Sequence, residues 1–334
     1  MTLLAGESPR STFEKSLLRI LFGILLSFGV LCAARGEDYP SRVVKIIVPY
    51  TAGSPNDLLA RLIAQDLQSR LGEPFIVENK PGGGTSIGVK FFATSAADGY
   101  TLLFSSSSLI IDPMLNHRED LKFAKDFAPV ATVATTSWLL AATSRLPAKT
   151  LKEFVDYIRA HPGAVNFGFA QGTAAQLVGD RFKVLTNANI LDVPYKGGSE
   201  AISDFLGGRI QMLTPTPSTS LSFIRSGQML ALATTNKTRI ADLPDVPTFH
   251  ESGLPELTLE FWAGVFAPNG TPSAIVDKLN IAINAALQSA MIKADMSKLG
   301  FEPKGGSSEE LAALIAEEIP RWTEIVNSTG AGNR

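Results

Sequence analysis

The chain has 334 residues, with 30 Lys and Arg against 32 Asp and Glu, and hydrophobic residues make up 45% of it. The near-balanced charge excludes a broad nucleic-acid-binding surface, and so much apolar material excludes a disordered chain. The single cysteine excludes an intramolecular disulfide, and the three scattered histidines lack the spacing of a zinc site, so we expect no bound metal.

The first 36 residues have the pattern of a secretory signal peptide. Basic side chains precede an apolar run at 20–30, and small residues follow it. The run is too short to span a bilayer, which takes about 20 residues, although an uncleaved anchor is an alternative. We therefore predict secretion, with cleavage after Ala34 or after Gly36 that removes Cys32.

Strand and helix patterns alternate along the rest of the chain. Continuous apolar runs predict buried strands, and apolar residues repeated every three or four positions predict helices. Thr150 with Glu153 and Ser307 with Glu310 are capping boxes that start two of the helices. The predicted strands cover 43–49, 75–78, 101–104, 166–169, 193–195, 229–234 and 262–267; the predicted helices cover 57–71, 151–158, 173–185, 200–206, 271–288 and 307–326. Such alternation predicts an α/β fold with mainly parallel sheets.

Enzyme signatures are mostly absent. The glycine run at 82–88 lacks the Lys-Ser/Thr of a nucleotide-binding loop and does not fit G-x-G-x-x-G, so we expect no cofactor. No serine lies in a G-x-S-x-G elbow, and nothing in the sequence brings the serines at 105–108 together with His117. We predict that the chain is not an enzyme, with a secreted serine hydrolase as the alternative. The acidic pairs Glu309-Glu310 and Glu317-Glu318 in the last helix predict a solvated face.

Two loops place small residues where a strand leads into a helix, at 49–57 and at 168–173. The unpaired N–H groups and positive dipole end of such a helix can hold an anion, although both loops have an ordinary connection as their alternative interpretation. Neither loop contains Arg or Lys, so main-chain amides and hydroxyls would bind the anion. Asp57 would repel a carboxylate, and we assign it to capping its own helix and shaping the loop. The predicted ligand-binding residues of these loops are Tyr50, Ala52, Gly53, Ser54, Pro55, Asn56, Asp57, Phe169, Ala170, Gln171, Gly172 and Thr173.

Short sequence blocks occur in a characteristic order across residues 39–327. They include VENKPGGG at 77–84, DGYTLL at 98–103, VPYKG at 193–197 and LPDVPT at 243–248. Together they resemble the periplasmic substrate-binding proteins of tripartite tricarboxylate transporters, the Bug family.

The resemblance implies a type II-like, two-lobed periplasmic-binding-protein fold, in which two α/β domains joined by a two-strand hinge close on a small carboxylate. It implies a signal peptide at 1–36, a first domain at 37–132 and 261–334, and a second domain at 133–260. It also adds Ser105, Ser106 and Lys196 to the predicted ligand-binding residues.

The function that the resemblance implies is a periplasmic receptor that delivers an organic acid to membrane subunits of a tripartite tricarboxylate transporter. A receptor that signals to a sensor kinase is an alternative. Ser54, Phe169 and Gln171 depart from the family pattern, which weakens the usual dicarboxylate assignment, and Phe169 suggests an aromatic ligand or a partly filled pocket. We expect a monomer that binds no nucleic acid.

Overall fold

Two mixed β-sheets organise the fold. The computed structural model describes residues 39–116, 126–170, 173–195 and 197–330, so the predicted signal peptide and His117 lie outside the described residues. Residues from Arg42 onward form one unit, and Tyr39, Pro40 and Ser41 belong to a separate one.

Each predicted strand and helix corresponds to an element of the structure, and the described residues form eight further strands and α-helices that were not predicted. The strands are β1 (Val44–Val48), β2 (Phe75–Asn79), β3 (Thr101–Ser106), β4 (Phe127–Thr136), β5 (Leu139–Thr143), β6 (Asn166–Ala170), β7 (Leu191–Tyr195), β8 (Met212–Leu213), β9 (Met229–Thr234), β10 (Phe261–Pro268) and β11 (Glu302–Pro303). The helices are α1 (Pro55–Leu71), α2 (Ser86–Ala93), α3 (Ser108–Leu115), α4 (Leu151–Ala160), α5 (Ala174–Thr186), α6 (Gly198–Leu206), α7 (Pro217–Arg225), α8 (Ser273–Ala286), α9 (Ala290–Lys298) and α10 (Ser308–Thr329).

The first sheet has the strand order β11-β4-β10-β3-β1-β2, and the second has the order β7-β6-β8-β5-β9. β1 is parallel to β2 and β3, and β6 is parallel to β7 and β8. β10 and β5, however, run antiparallel to both of their neighbours. The prediction of mainly parallel sheets is therefore wrong, because a strand that arrives from the other sheet enters from the opposite end.

The chain crosses between the sheets twice. The first connection, 137–138, leads from β4 to β5, and the second connection, 235–260, leads from β9 to β10. Trp138 and Thr235 hydrogen-bond each other twice, with an N–H donated in each direction at 2.9 and 3.0 Å. The Leu259 N–H also donates to the Thr235 carbonyl, at 3.0 Å. The two connections are thus joined side by side, as a two-strand hinge requires.

The expected domain boundaries fall at different places relative to these connections. The boundary at 260–261 coincides with the start of β10, whereas the boundary at 132–133 cuts β4 in two. Because a strand paired along its length moves as one piece, we propose that the first boundary lies in the first connection instead.

The C-terminal helix α10 packs against elements of both sheets. It lies on β4 of the first sheet and on α5, the helix that follows β6 of the second. The Arg181 guanidinium on α5 donates to Glu324 at 3.1 Å and to Ser328 at 2.8 Å. The predicted capping box is confirmed, since Ser307 Oγ accepts the Glu310 N–H and the Glu310 carboxylate accepts the Ser307 N–H.

One acidic residue of α10 departs from the sequence prediction. Glu317 is solvent-exposed as expected, but Glu318 is buried with 3% of its surface exposed. It follows Ile315 by three positions and precedes Trp322 by four, so it belongs to the apolar face of the helix. The predicted solvated face therefore excludes Glu318.

Each sheet has one topological switch point. The chain leaves β1 to form β2 on one side and then passes to β3 on the other. In the second sheet it likewise leaves β6 to form β7 and then passes to β8. The carboxyl ends of β1 and β6 therefore border the crevices in which open α/β sheets bind ligands. These two ends are also where the predicted anion-binding loops begin.

Candidate ligand-binding site

The first loop ends where α1 begins, and a serine caps the helix. Ser54 has extended backbone angles, and its Oγ accepts the N–H of Asp57 at 3.3 Å, with Pro55 in the first helical position. The prediction that Asp57 caps the helix is thus wrong in detail, since Asp57 lies in the first turn. Its carboxylate accepts the N–H of Gly53, the residue before the capping serine, at 2.8 Å. Gly53 has φ +80°, a left-handed conformation that favours glycine.

Asp57 is the centre of a buried hydrogen-bond network that fixes the shape of this loop. Its carboxylate is 1% exposed and accepts from Asn79 Nδ2 at 2.7 Å and from Arg61 at 3.0 Å. Asn79 Nδ2 also donates to the Tyr50 carbonyl at 3.1 Å. Burial raises the pKa of Asp57, but the hydrogen bonds from Arg61, Gly53 and Asn79 outweigh it and hold this pKa below its usual value. Asp57 is therefore ionised, and its hydrogen bonds hold the loop in its conformation.

A cluster of four hydroxyl groups lies beside this network. Tyr50 Oη lies 2.7 Å from Ser106 Oγ and 3.3 Å from Ser105 Oγ, and it also hydrogen-bonds Ser108 Oγ. Ser106 Oγ and Ser108 Oγ are 3.0 Å apart. β1 and β3 are neighbours, so the loop after β1 and the end of β3 meet at the same edge of the sheet. We call Tyr50, Ser105, Ser106 and Ser108 the hydroxyl cluster.

The serine run spans the end of a strand and the start of a helix. Ser105 and Ser106 are the last residues of β3, and Ser108 is the first residue of α3. β10 fixes this position, because Ser106 pairs with Ala263 and the Ser107 N–H donates to the Trp262 carbonyl at 3.0 Å. The backbone on which the hydroxyl cluster stands is therefore held by the strand that returns from the second connection.

The second loop joins β6 to α5, and Thr173 caps the helix. Thr173 Oγ1 donates to the Ala170 carbonyl at 2.6 Å and accepts the Gln176 N–H at 3.5 Å. The predicted site residues Gln171, Gly172 and Lys196 lie outside the described residues. The start of this 13-residue helix thus lies at the carboxyl end of β6, as the sequence predicted.

Phe169 lies in the protein core at the end of β6. Its surface is 5% exposed, and its ring centroid is 4.9 Å from that of Phe167. A ring buried to this extent fills space between β6 and its neighbours and leaves little surface for a ligand to stack on. Its contribution to the binding of an aromatic ligand stays a prediction.

The glycine run at 82–88 has a packing role. It forms a short 3-10 helix, Gly83–Thr85, followed by α2. At Gly88 a Cβ atom would lie 2.7 Å from the Lys80 carbonyl oxygen and 2.9 Å from Pro49 Cβ. Glycine at this position therefore allows α2 to lie directly against the end of β1, next to the first loop.

Sequence reasoning missed three members of the site. Asn79 and Arg61 hold Asp57, and Ser108 completes the hydroxyl cluster. Asn79 and Arg61 stand in or beside sequence blocks that carry the family resemblance, but only the tertiary fold brings them to Asp57. The pattern of serine at 54 and an acid three residues later would have found the true helix start.

The part of the chain that the structure describes has neither a metal-ligand cluster nor a membrane-spanning helix. It contains no group of three or more His, Cys, Asp or Glu side chains that could ligate a metal ion. Its helices are all too short or too polar to cross a membrane.

Two sheets joined by two connections, each with a strand-to-helix loop at its switch point, define a two-lobed solute receptor of the periplasmic-binding-protein class. The chain belongs to the tripartite tricarboxylate transporter family of receptors, whose profile matches residues 59–331. This family consists of periplasmic binding proteins and not of enzymes, so the serine-hydrolase alternative is wrong.

Relatives and solved structures agree with this assignment. The chain is 36% identical to protein BugT of Bordetella pertussis over 94% of this chain and 98% of BugT. Its fold matches the solved structure of R. palustris Rpa4515 with adipate, with a TM-score of 0.78 and 32% sequence identity over 88% of this chain and 99% of that one. It is 30% identical to MatC (Rpa3494) from Rhodopseudomonas palustris with bound malate, with a TM-score of 0.75 over 86% of this chain and 100% of that one.

Proposed function

We propose that this protein binds a small carboxylate between its two lobes and delivers it to the membrane subunits of a tripartite tricarboxylate transporter. The observation that carries the proposal is the position of the two helix starts, since α1 and α5 each begin at the switch point of a sheet. A helix start presents main-chain N–H groups and a partial positive charge to an anion. The adipate and malate named for the two solved relatives support a carboxylate as that anion.

The described part of the site would bind this anion without an ion pair. Arg61 is the basic side chain that hydrogen-bonds Asp57 of the first loop, and it also donates to Asn79 Oδ1 at 2.8 Å. The negative charge of Asp57 is in turn compensated by Arg61 and by two neutral donors. The main-chain N–H of Asn56 at the start of α1 and the partly exposed hydroxyls of Tyr50, Ser106 and Ser108 therefore remain as ligand-facing groups, whereas Ser105 is fully buried. Lys196 is a predicted additional contact from the second lobe.

Hinge motion would couple binding to delivery. A ligand held by both lobes stabilises the closed arrangement over the open one, and the two connections are where the backbone would rotate. We propose that the membrane subunits recognise the closed arrangement. Secretion through the N-terminal signal peptide would place the receptor in the periplasm, and N-terminal sequencing of the exported protein tests this by giving residue 35 or 37 as the first.

A thermal-shift screen of the mature protein tests the proposed ligand class. Adipate, malate and benzoate are the probes, and adipamide, which has the length of adipate without its charge, is the control. A ligand at about 100 times its Kd stabilises a protein by roughly 2.7 kcal/mol, which corresponds to about 5–10 °C for a chain of this size. Stabilisation by adipamide as large as that by adipate, or by none of the carboxylates, would contradict the proposal.

A matched pair of glycine variants tests the first loop. Gly53→Val adds bulk where the ligand would approach α1, and we expect it to abolish carboxylate binding. Gly72→Val is the control, because Gly72 ends the same helix with φ +83° and also has open space around the added side chain. Both variants carry the same backbone strain, so only Gly53→Val should lose binding. Equal affinity in the two variants would remove the first loop from the site.

Capture of membrane partners separates transport from signalling. The mature protein is immobilised with and without the carboxylate that the screen identifies, and detergent-solubilised membranes of the source organism are passed over it. Recovery of transporter subunits in the presence of ligand supports delivery. Recovery of a sensor kinase instead would assign the receptor to signalling.

A further inference from the structure

A buried carboxyl group lies where the two connections meet the C-terminal helix. Glu318 on α10 is 3% exposed, and its Oε2 accepts the indole N–H of Trp262 at 2.9 Å and that of Trp322 at 3.3 Å. Phe261 lies next to Trp262 in β10, and its ring is 5.5 Å from the ring of Trp322. On its other side, Phe261 meets Trp138 of the first connection edge-on at 5.4 Å. Glu318 thus hydrogen-bonds a packed group of aromatic side chains that contacts both connections. We call Trp138, Phe261, Trp262 and Trp322 the aromatic cluster.

The same aromatic cluster is linked to the hydroxyl cluster through β10. The Trp262 indole is bonded to Glu318, and the Trp262 carbonyl accepts the N–H of Ser107. The next residue, Ala263, is the strand partner of Ser106, which contacts Tyr50 Oη. The buried carboxyl thus bonds Trp262, and the next residue of β10 pairs with the strand that carries the candidate ligand-binding hydroxyls.

The charge state of Glu318 is poised to change near neutrality. Burial, with a smaller contribution from Glu260, raises its pKa to about 7, and the two indole hydrogen bonds and Arg321 oppose this rise. Among the elements packed against α10, β4 carries no titratable side chain, and α3 carries Asp112 alone. α5 contributes Asp180, Arg181 and Lys183, and α8 contributes Asp277 and Lys278. Arg181 is paired with Glu324, and Lys183 with Asp180.

An ionised carboxylate accepts hydrogen bonds about twice as strongly as a neutral group does. Ionised Glu318 therefore holds both indoles firmly, and protonated Glu318 holds them less firmly. On the basis of the function proposed above, we propose that Glu318 is a positioning residue for ligand binding. Its carboxylate fixes Trp262, and through β10 it fixes the hydroxyl cluster beneath the ligand, so the receptor binds its carboxylate more tightly when Glu318 is charged.

Calorimetric titration with adipate and malate between pH 6.0 and 8.5 tests this inference. Both probes are fully charged across most of this range, so their own ionisation contributes little. We expect the affinity of the wild type to fall severalfold as the pH decreases through about 7. Glu318→Gln should bind with the weaker affinity at every pH, and Glu317→Gln, the exposed neighbour, should behave as the wild type. Trp262→Phe keeps an aromatic ring at this position but removes the indole N–H donor, so it should also flatten the pH profile. This variant covers the case in which Glu318→Gln does not fold.

The tryptophan fluorescence of the unliganded protein supplies a second readout. All three tryptophans of the chain belong to the aromatic cluster, so ionisation of Glu318 should shift the emission with a midpoint near neutrality in the wild type and not in Glu318→Gln. Wild-type affinity that is constant over this range, or a pH dependence that persists in Glu318→Gln, would overturn the inference and leave the proposed function standing. Failure of the wild type to bind any carboxylate would instead overturn the proposed function, and this inference with it.

Discussion

The buried position of Glu318 predicts an unusual dependence of stability on pH. Its pKa rises from 4.5 to about 7 on folding, so the folded protein binds this proton more tightly than the unfolded chain does. Well below pH 4.5 the group is protonated in both states, so its ionisation makes no difference to stability. As the pH rises through this window the unfolded chain ionises first, and the folded state becomes relatively less stable. At about 1.4 kcal/mol per pH unit, the loss reaches roughly 3 kcal/mol above pH 7.

Glu318→Gln isolates this contribution. Glutamine keeps the shape and an acceptor oxygen for the two indole N–H groups, and it removes the ionisation. The free energy of unfolding of Glu318→Gln minus that of the wild type should therefore increase by roughly 3 kcal/mol between pH 4.5 and pH 8. Urea unfolding at several pH values measures it, and Glu317→Gln, at a site where the side chain is 73% exposed, controls for the loss of charge alone. A difference that does not change with pH would refute the burial argument.

Three further substitutions test the site and its support. Asp57→Asn should lower the free energy of unfolding by about 1–3 kcal/mol at neutral pH, as measured by urea unfolding. The difference from the wild type should shrink as the pH falls through the lowered pKa of the wild-type carboxyl, and a difference that stays constant with pH would contradict the hydrogen-bond network. Tyr50→Phe should weaken adipate or malate binding by about fivefold, corresponding to about 1 kcal/mol for one hydrogen bond, and unchanged affinity in calorimetry would exclude the hydroxyl from the site. Gly88→Ala should cost about 1–3 kcal/mol in urea unfolding because its Cβ meets the Lys80 carbonyl oxygen at 2.7 Å, and wild-type stability would show that α2 can move away freely.

Local signals made much of the fold predictable. The capping residues Thr150 and Ser307 start their helices as expected, because a cap acts on backbone groups three residues away and needs no tertiary partner. β4 is not predicted, because its mixture of alanine, threonine and valine gives neither a continuous apolar run nor a clear alternation. β5 is apolar from Leu139 to Ala142, but so short a run does not distinguish a strand from part of a buried helix. Their antiparallel pairing depends on the chain crossing between sheets, which local sequence does not encode.

The position of the site could be predicted from the sequence, but most of its side-chain contacts could not. Both helix starts follow from the strand-to-helix pattern, and their importance follows from sheet order, which only the structure gives. The role of Asp57 depends on Asn79, which lies 22 residues away in sequence and arrives through the pairing of β1 with β2. The sequence predicts Glu318 at the surface because an acid is seldom buried, although its spacing from Leu311, Ile315 and Trp322 matches the apolar face of α10.

The most direct test of the central claim is a crystal structure of the mature protein with the carboxylate that the screen identifies. We expect the ligand between the lobes, with its carboxylate oxygens about 2.7–3.2 Å from main-chain N–H groups at the starts of α1 and α5. A carboxylate bound elsewhere, or one held at a single lobe by a basic side chain, would contradict the account.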